Sequence, residues 1–306
     1  MTEKLLYTTL GALRRDQLGM ILPHEHVFVD LRTPDQPGYA EATEADVVAL
    51  MAPQVAATKT LGVTALVECS PCGVGRRADM DLAVSLAADL PIVVPTGIYR
   101  EPWIPAWVYG ASEEAITAWM LGELNEGIEE TGVRAGWIKL SAGDDGITPL
   151  EAHILRAATR AAIATGAIIG SHTIRGRVVM DQLDLIEKTG GDTARFISIH
   201  TNLEPDFALH KAVAARGAWI EYDNIGWVPV EESVALIARA IEAGLAGQLL
   251  LSHDAGWFDP AKPGGGTPKP YDVLSREVLP RLRSLGIDEA TLTRITHDNP
   301  FRAYAR

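Results

Sequence analysis

One arrangement of apolar and polar positions recurs along most of the chain: a short β-branched apolar run, a loop rich in Gly, Pro, Ser or Asp, then an amphipathic stretch of helical period. The runs are Met20 to Leu22, Thr64 to Val67, Ile92 to Val94, Trp137 to Leu140, Ala167 to Gly170, Phe196 to Ile199, Trp219 to Tyr222 and Gln248 to Leu251. Short apolar runs bounded by turn residues read as strands, and strands alternating with helices pair in parallel through crossovers. After Gly226, Val234, Ile237, Ala238 and Ile241 fall at i, i+3, i+4 and i+7, one apolar stripe to set against a sheet. Another helix is predicted to start at Thr148-Pro149-Leu150-Glu151, with a capping hydroxyl, a proline at the first helical position and a glutamate three residues after the cap.

Eight such units in about 250 residues have the size of a closed barrel. The predicted fold is therefore α/β, a single (β/α)8 TIM barrel with a short N-terminal lead and a C-terminal helix. No composition shift or long linker divides the chain, so residues 1–306 are expected to form one domain. An open doubly wound sheet is the alternative, disfavoured because no glycine-rich nucleotide fingerprint follows the early strands.

Composition narrows the partners. With 47% hydrophobic and 22% charged residues the chain reads as a soluble enzyme-sized protein, and its net charge of −13 repels nucleic acid and anionic membrane alike. A small-molecule substrate is expected instead. Met1 to Gln17 lack the apolar centre of a signal peptide, and no apolar stretch approaches the ~18 residues that span a bilayer, so a cytoplasmic location is expected. Cys69 and Cys72 form a lone C-x-x-C whose helix-opening context is broken by Gly73 and Gly75; they read as small strand-end residues in a reducing compartment.

The chemistry gathers at strand ends, where barrel enzymes place their active sites. His24 and His26 close the first strand, Lys139 lies in Trp137-Ile-Lys-Leu, His172 follows Gly170-Ser, His200 ends Ser198-Ile-His, and Asp254 ends Leu251-Ser-His-Asp. In extended backbone the His-x-His spacing turns both imidazoles to one side. Four imidazoles and a carboxylate suit zinc, cobalt, manganese or iron, and exceed what one tetrahedral ion takes, so two ions are expected. A lysine in an apolar strand needs a partner; besides a metal-site role, an ion pair with Asp144 or Asp145 would serve. His153 and His210 are expected on partly exposed helix faces, His297 in the loop before the last helix, and His253 behind the ligands.

With these residues in place the chain resembles the phosphotriesterase-like family of the amidohydrolase superfamily. The resemblance runs from Leu18-Gly-Met-Ile-Leu-Pro-His24-Glu-His26 through Ile138-Lys139, Ser171-His172-Thr173, His200-Thr-Asn202 and Ser252-His253-Asp254 to Asn299-Pro300-Phe301-Arg302. It implies a homodimeric, binuclear hydrolase. His24, His26 and Asp254 would hold the more buried metal, His172 and His200 the more exposed one, and a carboxylated Lys139 would bridge both, zinc being the first expectation. It further implies attack by a bridging hydroxide whose proton Asp254 takes, at a site left with a net charge of roughly +1.

Tyr99, in Thr96-Gly-Ile-Tyr-Arg100, matches a tyrosine that lactonases of the family carry beside the metals, which points to a lactone. Against this, Asn224 follows Asp223 where family lactonases acting on acyl-homoserine lactones carry an arginine. A phosphotriesterase, an amidase, or a metal-binding barrel without catalysis are the rival readings. Trp103, Trp107, Trp227, Trp257 and Phe258 are expected in rim loops as pocket wall or anchors, and Arg175 and Arg177 beside Asp144 and Asp145 as an anion clamp or solvated charges. Asn224, Arg175 and Trp257 are the candidate substrate contacts.

Overall fold

Each apolar run becomes a strand in the computed structural model, which describes residues 3–306. The strands are β1 (Met20–Phe28), β2 (Val63–Glu68), β3 (Ile92–Val93, resuming at Pro95–Thr96), β4 (Trp137–Ser141), β5 (Ile169–His172), β6 (Phe196–Ile199), β7 (Trp219–Tyr222) and β8 (Leu249–Leu251). Every sequential pair within β1–β8 runs parallel. β3 is interrupted where Pro95 has no N–H to give, and it changes partner there: Ile92–Val93 pair with β2 and Pro95–Thr96 with β4.

Between them lie α1 (Glu44–Thr58), α2 (Ala78–Ala88), α3 (Glu113–Asn125), α4 (Pro149–Thr165), α5 (Gly176–Lys188), α6 (Phe207–Ala215) and α7 (Val230–Glu242). α4 starts as its sequence predicts: Thr148 Oγ1 accepts from Glu151 N at 3.2 Å while the Glu151 carboxylate accepts from Thr148 N at 3.0 Å. Val234 and Ile237 of α7 are buried, and Ala238 and Ile241 pack beside them. After β8 come α8 (Leu279–Ser284), α9 (Glu289–Thr293) and α10 (Asn299–Tyr304).

The barrel is a (β/α)8 barrel whose last seam, β8 to β1, is closed largely by side chains. Asp254 N donates to His24 O at 3.1 Å, and His24 N to Ser252 Oγ at 3.0 Å. Glu25 points away from its two histidine neighbours into this seam and accepts from Ser252 Oγ (2.8 Å), His253 Nδ1 (2.6 Å) and Ala255 N (3.0 Å). The tautomer of His253 follows: its Nε2 accepts from Leu274 N at 3.0 Å, so its Nδ1 carries the proton given to Glu25. Inside the barrel Ile21, Val67, Val93, Trp137, Ile199 and Leu250 form one apolar cluster that Phe301 and Tyr304 of α10 stopper from the strands' N-terminal end. Tyr304 meets Trp137 edge-on at 5.2 Å and donates to Pro23 O at 2.9 Å.

Several expectations are corrected. β1 extends to Phe28, so His24 and His26 lie within it, and β5 begins at Ile169 and ends at His172. Trp257 and Phe258 belong to a short strand, Gly256–Phe258, parallel to β1, where Phe258 is buried against Phe28. His210 is buried rather than partly exposed: its Nε2 donates to Glu204 O and its Nδ1 accepts from Tyr222 Oη, both at 2.8 Å. His297 sits in the helical segment Arg294–Asp298.

Asp81 of α2 is a cost the fold carries. It is buried with neither carboxylate oxygen hydrogen-bonded, and burial, then the nearby Glu68 and Asp79, push its pKa well above the model-compound 3.8. The folded chain holds it protonated while the unfolded chain ionises it, so above about pH 3.8 it lowers stability. Asp81→Asn should therefore raise Tm near neutral pH, by roughly 2–4 °C for each kcal/mol relieved, with the gain shrinking to nothing as pH falls below that value. Thermal melts at pH 7.5 and 3.5 check this; an equal effect at both would contradict it.

Candidate metal centre

Period-two alternation along β1 sends His24 and His26 to one side, their ring centroids 5.5 Å apart. Asp254 comes from beyond β8, its backbone in the left-handed region at φ 52, and places Oδ1 2.9 Å from His26 Nε2 and 3.5 Å from His24 Nε2. His200 also has φ 62, where its N donates to Asp223 Oδ2 at 3.0 Å; its Nε2 lies 2.7 Å from His172 Nδ1. His24 links the two groups, 5.2 Å from His200 between ring centroids.

Buried acceptors fix the imidazoles. His24 Nδ1 donates to Glu221 Oε2 at 2.8 Å, His200 Nδ1 to Asp223 Oδ1 at 2.9 Å, and His26 Nδ1 faces Ser70 Oγ at 2.9 Å and Glu68 Oε1 at 3.3 Å. With the proton held at Nδ1, the Nε2 lone pairs of His24 and His200 are turned into the barrel mouth, and His26 Nε2 faces Asp254 Oδ1 there, where a divalent ion would displace the proton shared with that carboxylate. Sequence reasoning missed Glu68, Ser70, Glu221 and Asp223. The signal was present, for Glu221 in Trp-Ile-Glu-Tyr and Glu68 after Ala-Leu-Val are charges in apolar strands, as Lys139 is.

Lys139 is 2% exposed on β4 and, among the described residues, has no carboxylate at ion-pair distance. The alternative partners are engaged elsewhere: Asp144 Oδ2 stands 3.9 Å from Arg175 Nε, and Arg177 donates to the carbonyls of Asp144 and Asp145. β3 comes unusually close here, since a Cβ on Gly97, whose φ is +114, would fall 2.0 Å from Lys139 O.

A cavity of 130 Å³ collects His24, His26, Lys139, His172, His200 and Asp254, with Tyr99, Trp257, Val29, Leu31, Val74 and Cys69 as the rest of its wall. Tyr99 meets the His172 ring at 5.4 Å, and Trp257 meets His26 at 5.5 Å. Neither Asn224 nor Arg175 reaches this wall: the Asn224 carbonyl ties down Trp227 N, and Arg175 is half-exposed toward Asp144. Cys69 and Cys72 are free thiols whose pKa burial raises.

The donors carry opposed charges. Burial, then Lys139, lowers the His24 pKa to about 4. At His26 burial is outweighed by Asp254 and Glu68, which raise it to about 9, and at Asp254 the His26 hydrogen bond and nearby imidazoles overcome burial and hold it at about 2. Ligand atoms of His24, His26 and Asp254, and separately of His24, His200 and Asp223, lie within 4.8 Å of one another. Asp223 already serves His200 through both oxygens, so the open donors are the imidazole lone pairs, Asp254 and Lys139. That set fits divalent ions of the zinc type and is too large for one.

A (β/α)8 barrel with nitrogen and carboxylate donors converging at its C-terminal rim is the architecture of the metal-dependent hydrolases. The model of the phosphotriesterase family matches residues 4–304, and the chain belongs to that family, whose members are binuclear and metal-dependent. It is similar to organophosphorus hydrolase from Deinococcus radiodurans (TM-score 0.89, 31% identity, 99% of this chain and 97% of that one). A mutant PTE-like lactonase from the same organism superposes with TM-score 0.87 at 32% identity, covering 98% of this chain and 99% of that one. A phosphotriesterase homology protein of Mycobacterium tuberculosis is 31% identical over 98% of each chain.

Proposed function

We propose that this hydrolase cleaves the carboxylic ester of an uncharged lactone, using two divalent ions held by His24, His26, Lys139, His172, His200 and Asp254. The observation that carries the substrate is Tyr99. Its ring stands 5.4 Å from that of His172 in the wall that holds all six donors, and burial pushes its pKa to about 12, so the hydroxyl stays protonated as a donor to an ester oxygen. The likeness to a PTE-like lactonase supports the same reading. Val29, Leu31, Val74 and Trp257 give the rest of the wall an apolar character suited to a substrate without charge.

His24, His26 and Asp254 would take one ion, His172 and His200 the other, and Lys139 would bridge them as a carbamate. Loss of one proton from the ammonium frees the Nζ lone pair, and addition of CO2 to it with loss of a second proton would turn a buried cation into a two-oxygen anion. When bound, the ions activate water and polarise the ester carbonyl. Asp254 takes the water proton on its carboxylate and passes it to the leaving oxygen, which in a lactone remains tethered to the acyl group. Glu221, Glu68 and Asp223 keep the imidazoles oriented, and Leu31 and Trp257 exclude bulk water.

A second reading, hydrolysis of phosphotriesters, is favoured by the likeness to an organophosphorus hydrolase and uses the same donors as a weaker side activity. Zinc- or cobalt-loaded protein should be assayed on lactones, aryl esters, amides and paraoxon-like phosphotriesters. The expected result is a kcat/KM for lactones about 100-fold or more above any other class, equivalent to roughly 2.7 kcal/mol of transition-state preference. A preference of several decades for another class would overturn the lactone assignment, and activity surviving exhaustive chelation would overturn the metals.

A further inference from the structure

The opposite end of the barrel holds a second cavity that hydrolysis does not use. It measures 620 Å³ and is walled by Lys4, Arg195 and Arg302 together with Trp219 at the start of β7. Among the described residues, none of the three cations has a carboxylate at ion-pair distance, in a chain whose net charge is −13. Arg302 lies over the Trp219 ring at 5.2 Å, and among the described residues its only side-chain hydrogen bonds are long ones, 3.4 Å to Gly247 O and 3.5 Å to Asn299 Oδ1. Asp192, the carboxylate in this wall, accepts from Ala194 N at 2.9 Å and caps its turn. The cations feel one another: after burial, Arg195 and Arg302 are what lower the Lys4 pKa.

Three cations against one carboxylate, itself engaged in capping its turn, leave a net repulsion that a bound anion relieves. The cavity also adjoins an apolar one. Asp192 and Arg195 are shared with a 310 Å³ recess between the ends of α4 and α5, lined by Ile163, Ile169 and Ile186. Ile163 is 57% exposed there, a large apolar side chain that nothing among the described residues covers. A cationic cup beside an apolar recess matches a small molecule with an anionic head and an aliphatic tail.

We propose that the N-terminal face of the barrel binds an amphiphilic anion, its phosphate or carboxylate head on Lys4, Arg195 and Arg302 and its tail against Ile163. The two head chemistries share the same recognition, and octyl phosphate and octanoate are the probes that separate them. Isothermal titration of the zinc-loaded protein should show a binding event that Arg195→Gln/Arg302→Gln weakens at least about tenfold, as expected when charge-assisted hydrogen bonds are lost. Lactone hydrolysis and any binding at the metal centre should stay unchanged in that variant. Lys4→Gln, a change at an exposed side chain, should weaken the same event by several-fold, and Ile163→Ser should weaken octyl phosphate without affecting inorganic phosphate. Identical isotherms for wild type and both charge variants would overturn the site. Inorganic phosphate binding as tightly as octyl phosphate would overturn the amphiphile.

Discussion

Lys139→Ala is expected to remove metal and hydrolysis together, taking the protein from two ions per chain to below one and lowering kcat/KM by at least about 1,000-fold. Lys139 is 2% exposed on an apolar strand, its amine lies in the same 130 Å³ cavity as the four imidazoles, and among the described residues no carboxylate stands at ion-pair distance. An ammonium there is costly, whereas an anionic carbamate between two cations is not. Metal analysis and turnover on the same preparations are the measurement. Lys139→Met separates ligation from packing, because it keeps the aliphatic volume and loses only the amine. The metal-free Ala and Met variants should melt no lower than metal-free wild type beyond what the Ala cavity costs, since each removes an unpartnered buried charge. Full activity in either variant would deny Lys139 its bridging role.

What the sequence made legible was whatever depends on local geometry. Alternation in an extended segment is enough to align His24 with His26, and a lysine between Ile138 and Leu140 is anomalous on its face. Which histidines the three carboxylates Glu68, Glu221 and Asp223 would meet was illegible because the partners are remote in the chain: Glu221 meets His24 across 197 positions and Glu68 meets His26 across 42. Barrel closure creates those pairs, and no periodicity within one strand encodes them. The same closure explains β1. The apolar run stops at Leu22 and the histidines are expected to close the strand, yet it runs on to Phe28: Glu25 faces the seam while the histidines face the mouth, so a strand polar on both sides is satisfied on both. His210 failed for a similar reason, its burial depending on Tyr222 and Glu204 brought up from neighbouring segments. Asn224 and Arg175 show the limit of position matching: adjacency to a strand end did not bring their side chains into the cavity wall.

Asp254→Asn should dissociate the two roles that Lys139→Ala abolishes together. Asp254 has φ 52, a conformation asparagine adopts readily, so the substitution adds no backbone strain. The amide oxygen can still stand where Oδ1 now lies, 2.9 Å from His26 Nε2, and offer a neutral donor to an ion. It cannot take a proton. Metal content should therefore fall modestly, retaining more than one ion per chain at saturating zinc, while kcat drops by roughly 10²–10⁴, the range associated with loss of a positioned general base. KM should change little, because the wall that meets the substrate, Val29, Leu31, Val74 and Trp257, is untouched. The leaving group sharpens the test. If Asp254 delivers its proton to the leaving oxygen, the variant should lose most on lactones and alkyl esters, whose alkoxides need that proton. It should lose least on nitrophenyl esters, whose phenolate leaves without it. A uniform loss across leaving groups would leave Asp254 as a ligand and take the proton transfer away from it.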